Sequence, residues 1–207
     1  VRQLLDDIRD YLASNPRELD WERMQIENIG YMLVEKDQAK YLAGEAGRWA
    51  LDLNPRPNHV DRLVTVKTPL TRAGAYLVTA TVEDGNVSKI VLWVNDTVLM
   101  RKPLDGKVWF YAADAVNGDP LAHVDVDFFG YRQEPVKSAT RRHSVLTRRF
   151  SERSDTEGQV LPSPAAFDSQ YTWLVTVATE SGRLAYLGFS DVWYGSRHEA
   201  EYNATKV

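Results

Sequence analysis

The 207-residue chain balances 25 Lys and Arg against 29 Asp and Glu, and a net charge of −4 offers no electrostatic footprint for nucleic acid. It has no cysteine, which excludes thiol nucleophiles, disulfides, thiolate metal sites and thioester bonds. No apolar run approaches the ~20 residues of a membrane helix, so no membrane insertion is expected, and 43% hydrophobic with 26% charged residues is the usage of a chain that buries a core. The start at Val1-Arg2-Gln3, without Met or an apolar leader, reads as a piece of something longer.

Residues 2–13 carry a helical period. Leu4, Leu5, Ile8, Tyr11 and Leu12 form one apolar stripe opposite Asp6, Asp7, Arg9 and Asp10, and Asn15-Pro16 ends it. Residues 24–34 read as a bent strand or, less well, as a helix interrupted by Gly30. Residues 36–46 predict a short helix around Ala39, Leu42 and Ala43, with Gly44 near its end. From Trp49 the period becomes two. Residues 49–53 and 63–68 alternate like strands on either side of the rigid Asn54-Pro-Arg-Pro-Asn58 loop. Residues 75–82 are a strong strand, Asp84-Gly85 a hairpin turn, and residues 88–94 a returning strand. That strand is apolar on both faces at Ile90, Val91, Leu92 and Trp93, which predicts a central place in a sheet.

Beyond Asn95-Asp96, strands are predicted at 98–101, 108–113, 123–129, 140–150, 171–179 and 184–189. Turns separate them at Asp105-Gly106, Asn117-Gly118-Asp119-Pro120, Asp155-Thr156-Glu157-Gly158 and Glu180-Ser181-Gly182. Such spacing argues for antiparallel sandwiches. The fold class expected is mainly β: antiparallel β-sandwich, immunoglobulin-like, behind a short N-terminal helical segment. The expected division is a helix and linker at 1–19, a smaller β domain at 20–96, a sandwich at 97–197 with seven strands by residue 195, and a linker at 198–207.

No catalytic, cofactor-binding or metal-binding residue is assigned. His59, His123, His143 and His198 are scattered, and neither H-E-x-x-H nor a G-x-S-x-G elbow occurs. His123, Asp125 and Asp127 at i, i+2 and i+4 have the right chemistry for a divalent ion, but their alternation with core residues explains them as a solvated strand face. Asp114, Asn117 and Asp119 lack EF-hand spacing and read as Asx capping of a turn. Lys137, Arg141, Arg142, His143, Arg148, Arg149 and Arg153 form one basic stretch. It can face an anionic partner, but it is better explained as an edge strand guarded by charge. Trp109, Tyr111, Trp173, Tyr186 and Trp193 could form a carbohydrate platform; core filling is the plainer reading. Asn86, Asn95 and Asn203 head glycosylation sequons, which carry no meaning in a bacterial source.

The run Asp114-Ala-Val-Asn117-Gly118-Asp-Pro120-Leu-Ala122-His-Val124-Asp-Val126 resembles a strand–turn–strand motif of macroglobulin domains in the alpha-2-macroglobulin family. Asn117 and Leu121 stand where Thr and Val are usual. Ser154-Asp155-Thr156-Glu157-Gly158 resembles that family's T-D-x-x-G turn, and residues 69–78 resemble the strand that closes a preceding macroglobulin domain. The likeness spans roughly residues 60–195 and is nearest the bacterial branch. Gly118 is expected to take a positive φ and Pro120 to start the next strand, so that the motif closes a hairpin. The resemblance implies a non-catalytic scaffold module without cofactor, outside the cytoplasm (periplasmic, secreted or on the cell surface). Its partners would be the neighbouring domains of a larger parent that traps endopeptidases, with proteases met only through that parent. The alternative expectation is an adhesion or carbohydrate-binding sandwich.

Overall fold

Helix α1 (Arg2–Ala13) forms where the apolar stripe predicts it, and Leu4, Leu5, Ile8 and Leu12 are buried. A single turn, α2 (Trp21–Met24), follows, capped by the Asp20 carboxylate accepting from the Arg23 N–H. The computed structural model describes residues 1–26, 30, 39–54, 57–82, 85–137 and 143–192. The ambiguous stretch 24–34 falls largely outside these residues, as does the predicted turn at Glu83 and Asp84.

Nine strands are present among the described residues: β1 (Gly74–Thr81), β2 (Val87–Val94), β3 (Thr97–Leu104), β4 (Lys107–Asp114), β5 (Asp125–Pro135), β6 (His143–Arg153), β7 (Gln159–Val160), β8 (Thr172–Ala178) and β9 (Leu184–Asp191). β1 and β2 form a two-stranded hairpin. The other seven make a three-stranded sheet, β3-β4-β7, and a four-stranded sheet, β6-β5-β8-β9, with every pairing antiparallel. The chain is therefore mainly β, of the antiparallel sandwich class, with a short N-terminal helix.

The four-stranded sheet is buried on both faces. Val126 and Phe128 of β5 with Trp173, Val175 and Val177 of β8 meet Val108, Phe110 and Val160 of the smaller sheet. Phe167, from the loop before β8, seals this layer and packs edge-on to Phe110 and Phe128 at 5.5 Å. On the opposite face Phe129, Tyr131, Val145 and Leu174 take the stripe of α1 together with Met24 and Ile26. Gly130 makes room for this arrangement: a Cβ there would come within 2.8 Å of the Trp173 ring, its cross-strand partner.

Several sequence expectations are corrected. Residues 36–46 do not form a helix in their described part; only a 3₁₀ turn, Ala39–Tyr41, is present. A helix this short depends on burying its apolar side, and Leu42 is half exposed. Residues 49–53 and 63–68 form no ladder, and Trp49, Leu51, Leu53 and Leu63 stay exposed. Alternation makes a strand only where a partner and a face to bury are available. β2, predicted central, has β1 as its only ladder partner among the described residues. His123 does not continue β5: its φ of 57° turns the chain, and the strand starts at Asp125. The two-residue β7 was not foreseen, because so short a run has no readable period.

Candidate functional site

The two turns that carry the family resemblance lie about 40 residues apart in sequence and meet in space. The Asp114 turn does not close a hairpin, contrary to expectation. It carries the chain from β4 in the smaller sheet to β5 in the larger one, and the Asp155 turn carries it back from β6 to β7. Both crossovers sit at one end of the sandwich.

Each turn is folded by an aspartate. Asp114 Oδ1 accepts from the N–H groups of Val116 at 2.9 Å and Asn117 at 3.3 Å; Asp155 Oδ1 accepts from those of Glu157 at 2.9 Å and Gln159 at 2.8 Å. Gly118 takes the positive φ expected of it, 81°, and Pro120 bridges back to Ala113. Backbone bonds then join the turns: Ala112 N–H donates to Gly158 O, and Leu121 N–H to Ala112 O, both at 2.9 Å. Gly158 sits at φ 72°, and a Cβ there would overlap the Ala112 carbonyl oxygen and crowd Pro120. Ser154 is buried between them. Its hydroxyl donates to Leu121 O at 2.7 Å and accepts from Val124 N–H at 3.0 Å. A buried hydroxyl with both roles filled costs little to desolvate and ties two segments together.

Arg183, at the end of the β8–β9 turn and just before β9, completes the junction. It donates to Asp96 O at 2.9 Å and to Asp114 Oδ2 at 2.7 Å, so β9 is latched to the entry of β3 and the exit of β4. This guanidinium, followed by the Val116 N–H, holds the Asp114 carboxyl below its ordinary value of 3.8. A groove of about 210 Å³ opens beside the latch, lined among others by Arg2, Trp93, Asn95, Asp96 and Gly182.

The remaining sequence candidates are dispersed. Asp127 faces the α1 side. Its desolvation works to raise the carboxyl, but hydrogen bonds from Ser151 and Arg149 and the charges of Arg149 and Arg9 outweigh it and hold the group low. Asp125 is exposed opposite Arg153, whose Nε donates to His123 O at 2.9 Å. Asp125 and Asp127 alternate onto one face of β5 while His123 lies before the strand, and no group of three metal-ligating side chains is gathered among the described residues. The basic run maps onto β6 at the edge of the larger sheet, with Arg148, Arg149 and Arg153 exposed; Arg141 and Arg142 lie outside the described residues. Of the five aromatics, Trp173 is fully buried, Tyr186 packs on the α1-side cluster, and Trp193 lies outside the described residues. Trp109 and Tyr111 point off the smaller sheet with parallel rings 5.6 Å apart, and the Trp109 indole donates to Gln159. Sequence reasoning missed Arg183: a lone Arg after Gly182 carries no motif, and only the fold brings it to Asp114.

The class these features define is an antiparallel β-sandwich whose two crossovers are fused at one end. No protein-family model matches the sequence, and comparisons with curated proteins and with solved structures give no match either.

Proposed function

We propose that the chain is a non-catalytic scaffold module of a larger alpha-2-macroglobulin-like protein that acts outside the cytoplasm and traps endopeptidases. The observation that carries this reading is the meeting of the two resembling motifs in one hydrogen-bonded junction, with Ser154, Gly158 and Pro120 in contact range. Motifs that are separate in sequence but joined in the fold have a common structural reason to occur together, namely fixing how the two sheets cross over. The work of such a module is to hold geometry, and the chain has no thiol for covalent capture.

The test uses several endopeptidases, a bulky protein substrate and a small chromogenic peptide. The 207-residue chain is expected to protect neither substrate, whereas a parent protein containing it is expected to protect the bulky one and spare cleavage of the small one. Stoichiometric protection by the chain alone overturns the scaffold reading.

One observation favours a second reading, a carbohydrate-binding sandwich: the parallel Trp109–Tyr111 pair on the outer sheet face. Aromatic faces stack on the apolar side of pyranose rings, and the indole here is fixed by Gln159, itself bonded to Glu157. Quenching of Trp fluorescence by neutral oligosaccharides, lost in Trp109→Ala, supports this reading; no quenching removes it.

A further inference from the structure

The β1–β2 hairpin is the least finished part of the molecule. A two-stranded ribbon is marginal by itself, and among the described residues neither strand has a second ladder partner. No charge guards β1 (Gly-Ala-Tyr-Leu-Val-Thr-Ala-Thr), whereas the edge strand β6 carries three arginines, and its Val145 N–H is capped by Asn15 Oδ1 at 2.8 Å. Just upstream, residues 62–68 read Arg-Leu-Val-Thr-Val-Lys-Thr: period two, β-branched, and without any ladder. Leu63 is 96% exposed, the most exposed large apolar side chain of those described.

We propose that residues 62–68 are a strap that closes onto the open edge of β1 and turns the hairpin into a three-stranded meander. The tether fits. Residues 69–73 separate the two segments, and five residues is within the ~2–5 of ordinary hairpin loops. The connector is already folded back, since the Tyr76 hydroxyl donates to Arg72 O at 2.6 Å. The register follows from the loop: Thr68 comes opposite Gly74, Val66 opposite Tyr76, Val64 opposite Val78 and Leu63 opposite Thr79. Directly opposed residues share a face in an antiparallel pair. Val64 and Val66 thus extend the outer apolar face of Tyr76, Val78, Ile90 and Leu92. Leu63 moves to the inner side, where Leu77 and Val91 already pack on the α1 cluster. A one-residue slip reverses both placements.

The experiment has two arms. In hydrogen exchange of the unmodified chain, alternate amides of residues 62–68 are expected to be protected roughly tenfold or more over an unstructured chain. Uniform unprotected exchange overturns the strap. So does protection that appears only as protein concentration rises, which assigns the edge to a second copy. The absence of cysteine makes the second arm clean. The pair Val64→Cys with Val78→Cys is expected to oxidise in air to an intramolecular disulfide and to raise the melting temperature. The pair Thr65→Cys with Val78→Cys, one residue out of register, is expected to stay reduced. Equal oxidation of both pairs overturns the proposed register.

Discussion

The sandwich and the β1–β2 hairpin are written in the same sequence language and end in opposite states. Both have alternating apolar strands, and both have predicted Gly-containing turns. In the sandwich the alternation finds two facing layers, so that β8 is buried along nearly its whole length. In the hairpin the inner face packs through Leu77, Val91 and the Trp93–Tyr186 ring contact at 6.1 Å, but no residue of either strand is fully buried, and Ile90 remains 63% exposed. The difference lies in the second layer. A strand pattern is an offer of a face, and burial depends on whether another element accepts it.

The sharpest test compares one tryptophan from each region. Trp173→Ala removes a fully buried ring that fills the space over Gly130, and is expected to cost about 3–5 kcal/mol. Trp93→Ala in the hairpin, where the ring is 38% exposed, is expected to cost about 1 kcal/mol. Urea unfolding of both variants measures the gap, and equal losses would dissolve the distinction between the regions.

Two glycines separate backbone strain from crowding. Gly106 and Gly158 have similar positive φ angles, 64° and 72°. Gly106→Ala meets open space and is expected to cost only the left-handed penalty, about 1–2 kcal/mol. Gly158→Ala carries the same penalty and also drives a methyl into Ala112 of the junction, so its loss is expected to be clearly larger. Thermal melts that rank the two alike count against the junction as a close-packed element.

The Arg183 latch predicts an acid limb. Asp114 titrates lower in the folded state than its ordinary 3.8, so its contribution is present above that value and is lost as pH falls through the folded one. Asp114→Asn keeps an acceptor for the turn and is expected to flatten the decline in stability between about pH 5 and about pH 2. It does not abolish the decline, because Asp127 and Asp7 are also held low. An unchanged slope in the variant argues against the latch.

The smallest effect belongs to the outer face of the hairpin. Ile90→Lys is expected to change stability by no more than ~0.5 kcal/mol, since the side chain buries little. The matching change on the sandwich side, Val175→Lys, is expected to prevent folding, because it buries an unpaired charge. Soluble expression and circular dichroism distinguish the two.

Much was legible without coordinates where a local rule and the tertiary outcome agree. Helix α1 follows from the spacing of Leu4, Leu5, Ile8 and Leu12, and the turns at Gly106, Gly118 and Gly182 follow from glycine's access to positive φ. The seven strands from Thr97 to Asp191 follow from alternation, except β7, which is too short to alternate. The Asp114 motif was legible as a turn but not as a crossover: a turn fixes a local change of direction, and which sheet the next strand joins depends on partners far along the chain. The same limit hid Arg183, whose role exists only once the β8–β9 return lies against β4.

What the sequence by itself determined is the class of protein, an antiparallel β-sandwich behind an amphipathic helix, because period and turn chemistry are properties of neighbouring residues. Only the tertiary structure decided that α1 covers the outer face of the larger sheet, that the two motif turns fuse, and that, among the described residues, 49–53 and 63–68 join no ladder and β2 pairs with β1 alone. Each of these depends on which apolar faces find one another, and a face carries no address in the sequence.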